Sequence, residues 1–239
     1  MTFNQNPQSP LASPSQLGVR PTTALSAGFL SQSFAWMFVG LILTAAVAWL
    51  IQSSESVQVL AERWYLPVII AQFALVIGIS AGIRRLNATA ALGLFLVYAA
   101  LMGVTLSFIF AVYDLGSITA AFVSAAGMFG AAAAYGAVTK RSLASVGGFA
   151  FMGLIGIIIA SLVNAFLIKS DGLGYLVSIV GVVIFVALTA WHVQKISRGD
   201  LAAYTGSMEK GAVIGALSLY LDFINIFLFL LRIFGGSRR

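Results

Sequence analysis

Cysteine is absent from the 239 residues, charged side chains make up only 8%, histidine occurs once, and four of the five prolines fall before residue 22. Each shortage excludes something. Without cysteine there is neither a disulfide framework nor a thiolate metal site. A soluble domain carries about 25% charged residues, so this chain lacks the polar groups to cover a globular surface, and lipid must be part of its solvent. One histidine supports neither a His-Glu-x-x-His zinc motif nor a plausible Ser-His-Asp set. No phosphate loop is present. An intramembrane aspartyl protease needs two carboxylates sharing a proton, and only Asp222 lies deep in an apolar run. These gaps argue against an enzyme and leave no resident cofactor to expect. The net charge is +6 and the pI about 9.9. No clustered basic face with aromatic partners accompanies that charge, so it reads as membrane orientation and not as nucleic-acid binding.

What remains is apolar: 60% of the residues are hydrophobic and the mean hydropathy is +1.02. Residues 1–26 stand apart, rich in Pro, Ser, Gln and Thr, and read as a disordered cytoplasmic tail without the pattern of a signal peptide. Beyond them, apolar runs cover about 34–51, 67–83, 88–110, 118–137, 146–168, 173–193 and 212–234. Each approaches the roughly 20 residues that cross the hydrocarbon as a helix, and backbone in lipid must satisfy itself internally. The expected fold is an all-α integral membrane protein, a seven-helix bundle over 27–235, ending in a short basic tail at 236–239. The boundary between the third and fourth runs is the weakest, because only a short hinge around Tyr113 and Asp114 separates them. Small residues, among them 24 glycines and the spacing Gly78-x-x-x-Gly82, let helices approach closely, within one chain or between copies.

The few charges alternate. Arg84 and Arg85 follow the second run, Lys140 and Arg141 the fourth, and Lys195, Arg198 and Lys210 the sixth. Lys and Arg favour the cytoplasm in short loops, which places these loops and the N-terminus inside. The seventh run breaks the pattern. If it crosses, Arg232 lies outside, so it reads either as a span or as a re-entrant or buried central helix.

Asp222 sits in the middle of that seventh run, where a carboxylate must be paired, protonated or facing water. Ser218 and Asn225 stand four before and three after it, on the same helical face. The stripe reads either as an internal hydrogen-bond network or as an ion- or proton-binding site. His192 lies near the cytoplasmic end of the sixth run, with Gln194 and Lys195 close behind, and reads either as interfacial or as a titrating group. Arg84 and Arg85 read as orientation charges, though one can turn inward as a counter-ion. Asn164 reads as a packing hydrogen bond. Asn87-Ala88-Thr89 fits a glycosylation pattern but falls on the cytoplasmic side.

The segment 215–227, reading Gly-Ala-Leu-Ser-Leu-Tyr-Leu-Asp-Phe-Ile-Asn-Ile-Phe, resembles the last-helix signature of the Bax inhibitor-1 family of membrane proteins. Residues 97–107, 128–140 and 153–164 resemble its third, fourth and fifth helices, and the likeness extends over about 27–235. The resemblance implies six helices around a central seventh. It also implies a bacterial plasma (inner) membrane location and a pH-sensitive calcium leak. In that family two aspartates, on the sixth and seventh helices, form a proton-sensing pair. Asp222 matches the seventh-helix aspartate, whereas the sixth-helix motif here reads Trp191-His192-Val193-Gln194-Lys195, with His192 where the other acid is expected. An acid pair that shares a proton would thus become a base–acid pair. Proton or ion sensing falls to Asp222 and His192, with Ser218, Asn225, Arg84 and Arg85 as a supporting polar network. Calcium needs several oxygen ligands, so Asp222 is a weak metal candidate and calcium or protons are transported species. The alternative is a non-transporting regulator that binds another membrane protein, such as a quality-control protease.

Overall fold

The computed structural model describes residues 23–235, all of whose regular structure is helical. The helices are α1 (Thr23–Gln52), α2 (Glu55–Arg63), α3 (Tyr65–Gly82), α4 (Ala88–Ser107), α5 (Ile109–Val112), α6 (Leu115–Val138), α7 (Ala144–Val163), α8 (Asp171–Ser197), α9 (Asp200–Thr205) and α10 (Met208–Phe234). A π-helical turn, Asn164–Ile168, extends α7. Seven stretches are long and apolar enough to cross a membrane: Gly28–Gln52, Tyr65–Gly82, Ala88–Val112, Leu115–Val138, Ala144–Ile168, Asp171–Ser197 and Met208–Phe234. The protein is an all-α integral membrane protein. Since α1 starts at Thr23, residues 23–26 belong to that helix and not to the expected tail. Residues 1–22 and 236–239, which hold the rest of the two expected tails, lie outside the described residues.

The outer surface confirms lipid as solvent. Phe149, Leu167 and Phe166 are 80%, 75% and 74% exposed, and in water such a surface would aggregate. Helix ends, by contrast, carry polar caps. Asn87 accepts the N–H of Ala90 at 2.7 Å, which gives the residue of the glycosylation pattern a structural use. Asp114, Ser170 and Ser207 cap α6, α8 and α10 in the same way. Pro67 falls in the first turn of α3, where its missing N–H has no partner to lose. Asn164 staples the turn into α8, accepting from Ser170 N at 2.9 Å and donating to its carbonyl at 3.0 Å.

Helix α10 is the most enclosed span, 67% buried against 50% for α8 and 11% for α3 and α7. It packs on α1, α4, α6, α8 and α9. The main contacts of α3 are with α4, and those of α7 are with α8. The bundle is therefore layered, with α3 and α7 as outer helices. The seventh apolar run is one unbroken helix, so it is not re-entrant. Its first turns meet Phe29 and Ala202, and its last residues meet Gly174 and Tyr113. The basic loops share one side. Lys210 Nζ donates to the Arg84 carbonyl at 3.4 Å, and Gln194 Nε2 donates to the Arg141 carbonyl at 2.8 Å.

Two kinds of contact hold the interior. Glycines admit backbone: a Cβ on Gly103 would strike the Thr44 carbonyl, and one on Gly136 the Ala190 carbonyl. Buried hydroxyls pair off. Thr44 Oγ1 lies 2.6 Å from the Tyr220 hydroxyl and 2.8 Å from the Ala99 carbonyl, so Tyr220 donates to Thr44 and Thr44 donates onward. Phe95 and Tyr98 meet the Tyr220 ring edge to face, at 5.6 and 5.9 Å between centroids.

The direction of that relay makes two substitutions unequal. Thr44→Val leaves the Tyr220 hydroxyl buried without a partner and is expected to cost about 1–3 kcal/mol. Tyr220→Phe leaves Thr44 its carbonyl acceptors and is expected to cost about 0.5–1.5 kcal/mol. Thermal unfolding in detergent should rank them in that order.

The α6 cap predicts an acid effect. Asp114 accepts from the Ser117 N–H at 2.9 Å and the Ser117 hydroxyl at 2.7 Å, and these bonds hold its carboxyl below the usual carboxylate range. A depressed native value means that the stabilisation is present above the unfolded carboxyl's titration and is lost as pH falls through the native one. The melting temperature is expected to fall below about pH 4, and Asp114→Asn, still a good cap, should remove this component of the slope.

Candidate functional site

Helix α8 is fixed before it presents any functional group. Gly136 of α6 lies against the Ala190 carbonyl, and Gly147 of α7 lies against the Trp191 ring. Gln194, 4% exposed, accepts the Leu143 N–H at 2.8 Å and donates to the Arg141 carbonyl, clamping the loop between α6 and α7. His192 stands between these anchors. Its ring lies 5.1 Å from that of Trp191, and the Lys195 ammonium sits 4.6 Å over the Trp191 face.

Helix α10 runs antiparallel to α8, brought close where Gly215 meets Ile196 and Gly181 meets Phe229. This register sets Asp222 opposite His192, with Nδ1 to Oδ2 at 2.6 Å. The Asp222 side chain is 3% exposed and that of His192 20%, so the base is the partner that solvent can reach. The Thr189 hydroxyl, nearly a turn before His192 on α8, is spent on the Phe185 carbonyl at 2.8 Å. The two residues lie unequally far along their helices, His192 about 8 Å from the end of α8 and Asp222 about 21 Å from the start of α10. They meet because α10 begins at Met208, four residues before the apolar run, and its first turns project past α8 to pack on α9.

Beside the pair lies a cavity of about 520 Å³, walled by α3 and α4 on one flank, α7 and α8 on the other, and α10 behind. Ser218 and Asn225 line it together with Asp222 and His192. The stripe on α10 therefore faces one space, although Asn225 Nδ2 donates to the Leu221 carbonyl at 2.8 Å and not to the acid. Arg84 and Arg85 do not join this site. They are exposed beyond the end of α3, and Arg84 stacks over the Tyr204 ring at 4.7 Å. Loop geometry holds them on the basic side, where Arg84 gains an aromatic face and solvent. Arg232 is exposed at the opposite end, across Gly174.

Two further polar residues line the cavity, Gln72 of α3 and Tyr98 of α4. Gln72 was visible in the sequence as an amide inside an apolar run. Its Nε2 donates to Thr105 Oγ1 at 2.9 Å, which turns the carbonyl oxygen away from that bond. Tyr98 carried no signal, because a tyrosine in a membrane helix reads as ordinary packing. No group of three or more His, Asp or Glu side chains converges among the described residues. A cation here would meet one carboxylate and neutral oxygens.

The family described as "Inhibitor of apoptosis-promoting Bax1" matches residues 26–239. The inner membrane protein YbhL of Escherichia coli K12 is 49% identical over 226 residues, covering 92% of this chain and 96% of the relative. A protein of Borreliella burgdorferi is 43% identical over 88% of this chain and 92% of its own length. One of Deinococcus radiodurans is 40% identical over 88% and 90%. With its seven apolar spans and a family match that begins at residue 26 and runs through all of them, the chain belongs to the Bax inhibitor-1 family of membrane proteins.

Proposed function

We propose that this protein is a pH-modulated cation leak pathway, calcium being the cation of interest, with Asp222 as its acid and His192 as the partner that titrates. The observation that carries this reading is the 2.6 Å contact between the two on the wall of a cavity that opens between α3 and α7. With imidazolium against carboxylate the pair is neutral, and a cation in the cavity meets no net charge. When the imidazole gives up its proton, Asp222 holds an uncompensated negative charge beside the cavity. Protonating the carboxyl abolishes that charge. Cation passage is thus expected to rise with pH as the pair gives up its proton. The remaining groups facing the cavity support this assignment: among the described residues Tyr98 from α4 is the one other titratable group, α3 contributes Gln72, and α7 contributes apolar side chains. One carboxylate with neutral oxygens suits transient passage better than storage.

The name of the Escherichia coli relative supports an inner-membrane location, and the shared side of the basic loops supports a cytoplasmic face for them and for the start of α1. The thin oxygen set also favours a second reading, a regulator that binds another membrane protein such as a quality-control protease. A stoichiometric crosslinked partner in native membranes, together with no ion flux from purified protein, would favour that reading.

In reconstituted vesicles, Asp222→Asn is expected to lower calcium flux about tenfold or more and to flatten its pH dependence, since one unit charge about 4 Å from a cation is worth several kcal/mol at an effective dielectric near 20. Flux and pH profile unchanged by Asp222→Asn would remove the sensor role. His192→Asp is expected to raise calcium flux or shift its pH midpoint, because two acids attract a divalent cation where an acid and a base do not.

A further inference from the structure

The Asp222 cavity does not reach through the bundle. A second cavity, of about 180 Å³, lies on the other side of α10, between α1, α4, α5 and α6. The two sit in sequence along α4. The first is lined by Tyr98 and Met102, and the second by Leu106, followed by Ile109 and Phe110 of α5. That end of α4 leads to Tyr113 and Asp114, on the side away from the basic loops.

Ile224 is the one described residue that lines both cavities. It is 3% exposed and stands where the two linings meet. One turn earlier Tyr220, fully buried, is held by Thr44 and by the Phe95 and Tyr98 rings. The backing of the partition is therefore rigid, and Ile224 is the part of it that a small change can open. Beyond it the lining is apolar. Among the described residues, Thr44 is the only polar one lining the second cavity, and its hydroxyl is engaged by Tyr220 and a backbone carbonyl. A water there would find no free partner, and a cation arriving from Asp222 would have to shed its hydration.

We infer that Ile224 is an apolar gate, which separates the acid-bearing cavity from the apolar one and sets the basal leak. Hydrophobic constrictions of this kind block ions by excluding water. The gate presupposes the leak pathway proposed above. It adds a division of labour, in which Asp222 and His192 set how strongly a cation is drawn in, and Ile224 sets how often it passes.

The test is calcium flux from vesicles holding the full chain, measured across pH for Ile224→Ala, Ile224→Val and Ile224→Ser. Ile224→Ala is expected to raise flux about tenfold, Ile224→Val about two- to threefold, and Ile224→Ser more than either, since a hydroxyl wets the partition. The pH midpoint should stay in place. Leu217→Ala, a comparable core truncation on α10 that lines neither cavity, should leave flux unchanged. If Ile224→Ala does not fold, Ile224→Val decides. Folded Ile224 variants that conduct like the parent overturn the gate and leave the leak standing, and so does an equal rise with Leu217→Ala. Absence of flux from the parent and every variant removes the leak itself.

Discussion

The His192–Asp222 contact ties the most enclosed helix of the bundle to its neighbour through the one carboxyl group set deep in an apolar span among the described residues. An unpaired charge among apolar helices is costly, and a pair recovers that cost only with good geometry. The geometry here is inherited from elsewhere. Glycines at 136 and 147 seat α8 on α6 and α7, and those at 181 and 215 seat α10 on α8. The small residues therefore do more than allow close packing, because they fix the register that brings a base to an acid 30 positions away in sequence.

The spans were legible because lipid leaves little freedom: a run of about 20 apolar residues has one stable form there. Asp222 was legible for the same reason, as an isolated acid where acids are rare. Its alignment with Ser218 and Asn225 followed from helical periodicity and holds as a shared face, though not as mutual hydrogen bonds. Other parts depend on distances that sequence spacing does not encode. The short helices α2 and α9 escaped notice because neither has spanning length. The projection of α10 past α8, which decides whether His192 reaches Asp222, is set by the packing of α9. The arginines at 84 and 85 illustrate the limit in another way. Their composition marks the side of the membrane, and the fold uses them for nothing deeper.

The interior divides into regions with different solvent character. Around Asp222 the walls offer an acid, an imidazole, two amides, a hydroxyl and a phenol. On the far side of Ile224 they offer hydrocarbon and one hydroxyl already engaged. That contrast arises on one helix, because successive residues of α10 point to different neighbours: Asp222 and Asn225 toward α8 and its cavity, Phe223 and Phe227 toward α6 and its aromatic rings. A single span thus carries a polar face and an apolar face at the same depth, and Ile224 lies on the seam.

Gln194 holds the connection between α6 and α7 wholly through peptide groups, taking the Leu143 amide and the carbonyl of Arg141. Recognition of that kind is blind to side-chain identity. The loop can keep its shape while residues 140 and 141 are exchanged, so its lysine and arginine remain available for insertion topology without disturbing the architecture next to the histidine.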